Sequence, residues 1–497
     1  MNDDRVFTDK LVCGNLLSNL NSEQLKTLAS SVSIRNRWEI TVYRSRIRSR
    51  SAKDTHLVNK ITPDIKREIG SVREYISGAD IIRLDKDICM DEKFHFNVRL
   101  YVTRKFARIA HMFDANFFPS SNIEEPDIVI VMVPEWENRA IYIYPSDKGI
   151  VHNFVLGTDY YGEAKMAALR SALYLTGEYR NGLGLHAGGK LFRVKTDSGI
   201  SEKGALIFGL SGTGKTTITI NDHGLIPPEG ISILQDDIML LRDDAFAYGT
   251  EHSFYIKTDN VTSQPEIFHA TQAPMAIAEN VWVDDEGEID FDNLSLTSNG
   301  RCLVPRFALP HSRDDVNLSK VSCIFFNTRR DDLPPIGKLS SAYQAAAYFM
   351  LGESMITSAS DPKLAGKSKR VVGFNPFILT DPAKEGNKFL EILKKNKIDA
   401  YIVNTGRIGK SNITPQITMG VIKDALKGQI SWKFDNDLGY FIADKSESCD
   451  LSNFEPNKIF GSDYNFMMKK LYGERMEYLS KFSGLNRKIL EHLKETK

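Results

Sequence analysis

The sequence predicts a mixed α/β protein in two domain-sized parts, residues 1–185 and 186–497. Three observations carry that expectation. The chain has 497 residues, and domains commonly hold about 100–200. Short apolar runs closed by turn residues recur at 205–208, 231–234, 321–326 and 401–403, the texture of strands buried on both faces. The texture changes at a glycine cluster, Gly182, Gly184, Gly188 and Gly189 around His186, which places the boundary near residue 185.

The elements follow in order. Residues 1–30 read as helical, with Leu16, Leu17, Leu20, Leu25 and Leu28 near helical spacing. Residues 38–50 alternate: Trp38, Ile40 and Val42 give way to Arg44, Arg46, Arg48 and Arg50 on one parity. Period two predicts a single strand running from buried into basic ground. A strand and then a helix are expected over 94–118, strands at 128–133 and 140–144, and a helix over 162–178. The polar stretch 353–370 reads as a surface loop, and 462–496 as helical.

Composition narrows the class. Lys+Arg and Asp+Glu are both 64, so the formal charge is zero, and apolar residues make up 42%. A chain basic overall, wholesale disorder and fibrous repeats are all excluded. The five cysteines, Cys13, Cys89, Cys302, Cys323 and Cys449, show no C-x-x-C spacing and form an odd, sparse set. That argues against zinc ribbons, thioredoxin-type motifs and a disulfide framework. The first residues have no apolar signal core, and the longest apolar strings are far short of a membrane span. A soluble cytoplasmic protein with reduced thiols is expected, as a monomer or small homo-oligomer.

The sharpest motif is Gly209-Leu210-Ser211-Gly212-Thr213-Gly214-Lys215-Thr216, followed by Thr217; it fits G-x-x-x-x-G-K-[ST]. Glycines let the backbone curl so that N–H groups point into one concavity that takes phosphate oxygens. Lys215 would reach the β- and γ-phosphates, and the Thr216 hydroxyl would hold the nucleotide's Mg²⁺. The apolar run 205–208 immediately before supplies the strand such a loop needs. A second strand, 231–234, ends at Asp236 and Asp237, where a carboxylate can hold the metal directly or through water.

Together these segments resemble the ATP-dependent phosphoenolpyruvate carboxykinases. The loop, from Phe208 to Thr217, is similar to theirs, and other matches are collinear. Arg50-Ser51-Ala52-Lys53-Asp54 resembles the family's R-S-P-K-D segment, and Tyr160-Tyr161-Gly162-Glu163-Ala164-Lys165 its Y-G-G-E-M-K-K. Gly184-Leu185-His186-Ala187 stands where the family has a metal-binding histidine. Asp236-Asp237 matches G-D-D, and Glu279-Asn280-Val281 with Ile289-Asp290-Phe291-Asp292 matches E-N-V…I-D-F-D. Arg301 then stands like the arginine of T-E-N-T-R. Leu333-Pro334-Pro335 and Val403-Asn404-Thr405-Gly406 match further segments.

The resemblance implies a two-domain carboxykinase fold with the phosphate loop in its C-terminal domain. It implies decarboxylation of oxaloacetate and transfer of the γ-phosphoryl group of ATP to the resulting enolate. Lys165, His186 and Asp237, with Asp236 nearby, would bind a transition metal, Mn²⁺, with Lys165 as a neutral amine. Thr216 would hold a second metal, Mg²⁺. Arg50 and Arg301 would fork onto substrate oxygens, with one of Tyr160 and Tyr161 facing the substrate and the other in the core. Lys215, with Lys257, would neutralise the transferring group. The active site would lie between the domains.

The chain departs from the family in places. Ser49 replaces a glycine before Arg50, Met166 follows Lys165 in place of a second lysine, and the family's E-P-E is Gln264-Pro265-Glu266. The lid segment starts at Gly352-Glu353-Ser354-Met355-Ile356-Thr357 and is altered, and the arginine expected near adenine is replaced around Met419. ATP is the default nucleotide, with GTP not excluded. Two alternatives stay open: a kinase of the same architecture with another small acceptor, and a nucleic-acid-binding ATPase using Arg35, Arg37, Arg44, Arg46, Arg48, Arg50 and Lys53 as a cationic strand face.

Overall fold

A computed structural model describes residues 4–8, 10–50, 52–120, 124–356 and 366–496. Ser51, Thr357 and the middle of the expected loop 353–370 lie outside the described residues. The chain is mixed α/β and divides into two compact units, Met1–Leu175 with Thr250–Asp314, and Thr176–Gly249 with Asp315–Lys497. The division therefore differs from a single cut at 185. Residues 250–314 join the first unit because main-chain pairing holds them there: strand Phe254–Lys257 pairs with Arg301–Val304, which pairs with Ile277–Glu279, which pairs in parallel with Thr41–Tyr43. Pairing at such sequence separation leaves no local signal.

The first unit also holds a larger sheet, ordered Asn15–Leu17, Asp80–Asp91, Phe94–Thr103, Ile128–Val133, Val151–Leu156, Ala140–Pro145 and Thr55–Leu57, with Phe118–Pro119 paired to the second strand. The expected strands at 128 and 140 and the strand–helix pair over 94–118 are found, the helix being Ala107–Asn116. Helix Tyr161–Tyr179 matches the period read over 162–178. The reading of 1–30 as helical needs correction. Leu16 and Leu17 lie in a strand on Ile81 and Ile82, and helix Ser22–Leu28 starts at an Asn21–Gln24 capping box.

The expected strand 38–50 is also corrected, since only Thr41–Tyr43 is extended and paired. Beyond it the backbone turns onto Asp159, whose carboxylate accepts from the N–H groups of Arg46 and Ile47. Arg48 donates to the Leu296 carbonyl at 2.8 Å, and Arg37 pairs with Glu288. The arginines thus point to separate partners, and the cationic strand face does not form.

The second unit is built on an eight-stranded sheet ordered Gly230–Gln235, Ala187–Thr196, Gly199–Gly209, Cys323–Thr328, Asp399–Asn404, Ile336–Lys338, Tyr440–Ser446 and Ile430–Asp435. Three of the predicted apolar runs lie within its strands, and the fourth, 321–326, overlaps Cys323–Thr328 from residue 323. Alternation sends Leu206, Phe208, Ile324, Phe326 and Ile402 into one core and Ala205, Ile207, Phe325, Tyr401 and Val403 into another. Both faces are covered, so the strands read as unbroken apolar runs. Helices Ala342–Leu351, Pro382–Asn396 and Asp463–Leu479 pack on the first face and Pro415–Lys427 on the second.

Among the described residues no helix is long and apolar enough to cross a membrane. All five cysteines are free.

The second unit contains a buried ion cluster. Glu353 takes Arg475 at 2.6 Å, Arg370 at 2.6 Å and Arg330 at 3.5 Å. Burial alone would raise its carboxyl, but Arg475, Arg330 and Arg370 outweigh burial and hold it at about 2. Because the folded state depresses this pKa, the cluster stabilises fully above pH ~4.5, by about 3 kcal/mol, and that stabilisation fades as pH falls toward about 2. Glu353→Gln should cost about 3–5 kcal/mol at pH 7 by leaving buried guanidinium groups without their carboxylate. Urea unfolding from pH 7 to pH ~2 should also show a flatter acid limb in this variant; parallel pH profiles for the two proteins would contradict the account.

Candidate active site

Strand direction gathers the chemistry of the second unit at one edge. Gly199–Gly209, Cys323–Thr328 and Asp399–Asn404 are mutually parallel. Ala187–Thr196 is antiparallel to Gly199–Gly209 and to Gly230–Gln235. The carboxyl ends of four strands and the amino end of Ala187–Thr196 therefore share an edge, where open α/β sheets place their ligands. Residues 210–214, Asp236–Asp237, Arg329, Thr405 and His186 are the residues just beyond those ends.

The loop has the curled form expected of a phosphate cradle. Gly212 and Gly214 both have φ of 82°, open to glycine at no steric cost. A Cβ at Gly209 would lie 2.3 Å from the Thr213 hydroxyl, so the loop closes tightly only over glycine. Helix Lys215–Ile220 follows at once, carrying Thr216 and Thr217 in its first turn. Three hydrogen bonds fix the loop's carbonyls: the Thr213 hydroxyl donates to Leu210 at 2.8 Å, Thr405 to Thr213 at 2.9 Å and Arg329 to Gly212 at 3.2 Å. A loop whose carbonyls are tied down is pre-organised to turn its N–H groups to an anion. Leu210 is buried, while Ser211 and Gly212 are exposed.

Beside the loop three polar groups converge. Nε2 of His186 lies 3.1 Å from Oδ1 of Asp237. Nζ of Lys215 lies 3.2 Å from Nε2 and 3.3 Å from Oδ1. Nδ1 of His186 donates to the Phe374 carbonyl at 2.7 Å, which fixes the tautomer and leaves Nε2 as an acceptor. Burial and then the Lys215 ammonium push the ring's pKa below its ordinary value, against the pull of Asp237, which favours the neutral imidazole. A neutral imidazole and a carboxylate side by side fit a borderline divalent ion. Asp236 is buried, and Asp237 is the carboxylate facing the histidine. Among the described residues no group of three or more His, Cys, Asp or Glu side chains is placed to hold a metal.

Other expected site residues belong to the first unit, Lys257 and Arg301 among them; this corrects their assignment to the nucleotide-binding domain. Phe254–Lys257 and Arg301–Val304 are paired strands, Lys257 opposite Arg301, and Lys257 forms an ion pair with Asp259 at 2.5 Å. Arg301 donates to Asn299 at 2.9 Å and stacks over Tyr255. Asn299 in turn donates to the Tyr160 hydroxyl at 3.1 Å. Tyr160 and Tyr161 are both buried, Tyr161 with its ring edge-on to Tyr255. Of the two tyrosines, Tyr160 is the one networked to Arg301. Arg50 is exposed; burial, then its like charge acting against the pull of Glu163, brings the neighbouring Arg170 down to about 10.

Lys165 differs from the neutral amine expected. It is buried and forms an ion pair with Glu251 at 3.0 Å. Asn116 donates to the same carboxylate at 2.9 Å. An ammonium in an ion pair has no lone pair to offer a metal, so the fit of the metal set rests on His186 and Asp237.

Several positioning groups had no role assigned from the sequence, Thr405 being marked only by its segment match. Glu251, Asn299, Arg329, Thr405 and the Phe374 carbonyl act through tertiary contacts. A buried trio underlies Tyr160 and Tyr161: Arg108 bonds Glu279 at 3.0 Å and Asp159 at 3.1 Å, and Glu279 accepts from the Tyr161 N–H at 3.1 Å. Only the E-N-V match singled out Glu279.

Residues 15–450 match the family described as phosphoenolpyruvate carboxykinase. The phosphoenolpyruvate carboxykinase (ATP) of Aeropyrum pernix is 35% identical over 442 residues, covering 88% of this chain and 89% of the relative. That of Christiangramia forsetii is 25% identical over 457 residues, 85% of this chain and 80% of the relative. That of Allorhizobium ampelinum is 27% identical over 354 residues, 67% and 62% respectively.

The Thr405 hydroxyl contributes one hydrogen bond to the loop, a net effect of about 1 kcal/mol. Thr405→Val should therefore weaken binding of inorganic tripolyphosphate by about fivefold in calorimetric titration, and Thr405→Ser should restore it. Equal affinities for all three proteins would show that the hydroxyl does not shape the cradle.

Proposed function

The chain belongs to the phosphoenolpyruvate carboxykinase family, and from that premise we propose that it converts oxaloacetate and ATP to phosphoenolpyruvate, carbon dioxide and ADP. The observation that carries the reading is the convergence of His186 Nε2, Asp237 Oδ1 and Lys215 Nζ at 3.1–3.3 Å beside a phosphate loop. A triphosphate cradle and a cation-binding pair at one sheet edge are what phosphoryl transfer to a developing enolate requires.

The reaction has two bond changes. The C–C bond to the departing carboxylate of oxaloacetate breaks, and its electrons remain as the enolate of pyruvate. The enolate oxygen then attacks the γ-phosphorus of ATP, and ADP leaves. The protein must keep two anions together and keep a proton away from the enolate carbon.

Loop N–H groups from 210 to 215 would hold the phosphate oxygens, and Lys215 would set its ammonium on the transferring group. Thr216 would hold the Mg²⁺ that accompanies the nucleotide. His186 and Asp237 would hold Mn²⁺, joined by Lys165 once its proton has gone, and the bound ion supplies Lewis-acid charge to the enolate oxygen. Arg50 and Arg301 would fork onto oxaloacetate or phosphate oxygens. Tyr160, tied through Asn299 to Arg301, would orient that guanidinium. Asp236 would support Asp237, and Lys257 would act at the phosphoryl group only after leaving Asp259.

The test is formation of phosphoenolpyruvate from oxaloacetate, ATP, Mg²⁺ and Mn²⁺. Product should form with the wild type and fall at least about a hundredfold in Lys215→Ala, as when a group that stabilises transition-state charge is lost. Product no higher than in Lys215→Ala, with ATP still bound, would favour a kinase with a different acceptor. Arg50→Ala should raise the KM for oxaloacetate about tenfold or more and leave that for ATP within about twofold, as expected for a charge-assisted contact to substrate alone. A matching rise for both substrates would remove Arg50 from its assigned role.

A further inference from the structure

We infer that Lys215 stands in for a divalent cation at the His186–Asp237 pair, so that metal binding there and phosphate capture by Lys215 promote each other. The inference rests on the carboxykinase reading and deepens it. Its basis is a triangle of atoms. Nε2 of His186 and Oδ1 of Asp237 are 3.1 Å apart. In the neutral ring the proton is on Nδ1, donated to the Phe374 carbonyl, so that Nε2 and Oδ1 face each other as acceptors. Two acceptors at that separation repel unless a positive group lies against both. The Lys215 ammonium does so at 3.2 Å and 3.3 Å, and it also reaches the Asp237 carbonyl at 3.5 Å.

A divalent ion at this pair would take the same lone pairs. Metal and ammonium therefore compete for one position. The competition has consequences because Lys215 is also the lysine of the phosphate loop, opening helix Lys215–Ile220 directly after Gly214. Its flexible four-carbon stem can carry the charge from the histidine–aspartate pair to a phosphate oxygen. A metal arriving at the pair sends Lys215 to the nucleotide, and a triphosphate that draws Lys215 away leaves the pair to the metal. By linkage each ligand raises the affinity for the other by the same factor. Neither half of the two-cation arrangement is then held firmly without the other, which suits an enzyme that must not open the enolate route before its phosphoryl donor is bound.

The experiment uses Mn²⁺ alone, without nucleotide, and reads the free ion by electron spin resonance. Lys215→Met should bind Mn²⁺ about tenfold or more tightly than the wild type, since charge-assisted hydrogen bonds no longer have to be broken. Lys215→Arg keeps a competing cation and should stay within about threefold of the wild type. Adding His186→Ala to Lys215→Met should abolish the gain. If Lys215→Met binds Mn²⁺ no more tightly than the wild type while His186→Ala still weakens binding, the competition is refuted and the metal site stands. If His186→Ala leaves Mn²⁺ binding unchanged, the metal assignment itself fails. Lys215→Gln carries the same expectation should the methionine variant not fold.

Discussion

Two lone pairs facing each other across 3.1 Å organise this molecule. A neutral histidine and a carboxylate do not rest together in a half-buried site without positive charge between them. The fold provides that charge from the phosphate loop itself. His186 precedes one strand, Asp237 follows another, and Lys215 follows a third, so the triangle is a property of sheet order and strand direction, not of any one segment. The Phe374 carbonyl fixes the tautomer, which sets which nitrogen faces the aspartate. Loss of the pairing of Ala187–Thr196 with either neighbouring strand would separate the three groups even if every side chain were kept.

The first unit solves a related problem with buried ion pairs. Arg108 bridges Asp159 and Glu279, and those two carboxylates in turn hold backbone N–H groups at Arg46, Ile47 and Tyr161. Burial raises the Glu279 carboxyl, and Arg108 opposes it. Such networks add little net stability over apolar packing. What this one provides is placement: it fixes the start of helix Tyr161–Tyr179 and the entry of the arginine-rich segment that carries Arg48 and Arg50. Lys165 on that helix is held in the same manner by Glu251. A lysine kept as an ammonium in a dry environment is poised to act as a charge; to act as a ligand it must first lose its proton.

What the sequence revealed follows from how far apart the cooperating residues are. The phosphate loop was legible in full because its chemistry is local: glycines with positive φ, a preceding strand and a lysine at fixed spacing. The buried strands of the second unit were legible because both faces are covered, which leaves continuous apolar runs. Asp237 was legible as an acid at a strand end after the loop, whereas His186 and Arg301 took their roles only from the carboxykinase resemblance, since a lone histidine or arginine carries no pattern. Glu251 and Arg329 were illegible, and Thr405 was marked only by a segment match that gave it no role, because their roles are bonds to carbonyls or to a lysine distant in sequence. Leu16 and Leu17 misled for the opposite reason: two strand leucines spaced near leucines of a true helix imitate its period. The alternating arginines after Tyr43 misled because Asp159, more than a hundred positions away, captures the backbone that would have extended the strand.

The short helix after the phosphate loop shows how the strand of His186 serves the loop as well. Helix Lys215–Ile220 has only six residues, so its carbonyl end lies close to its amino end at the loop. Lys190, fully buried, donates from its ammonium to the Ile218 carbonyl at 2.9 Å and to that of Asn221, and lies over the Phe192 ring. A cation at the carbonyl end satisfies acceptors that no further turn of helix can reach and interacts favourably with the helix dipole. Lys190 belongs to strand Ala187–Thr196, four residues after His186. One strand thus places His186 at its start and anchors helix Lys215–Ile220 from its interior. Through Lys190 the strand that follows His186 is bonded to the carbonyl end of the helix that Lys215 opens, so the backbone positions of His186 and Lys215 are tied by one side chain as well as by the sheet.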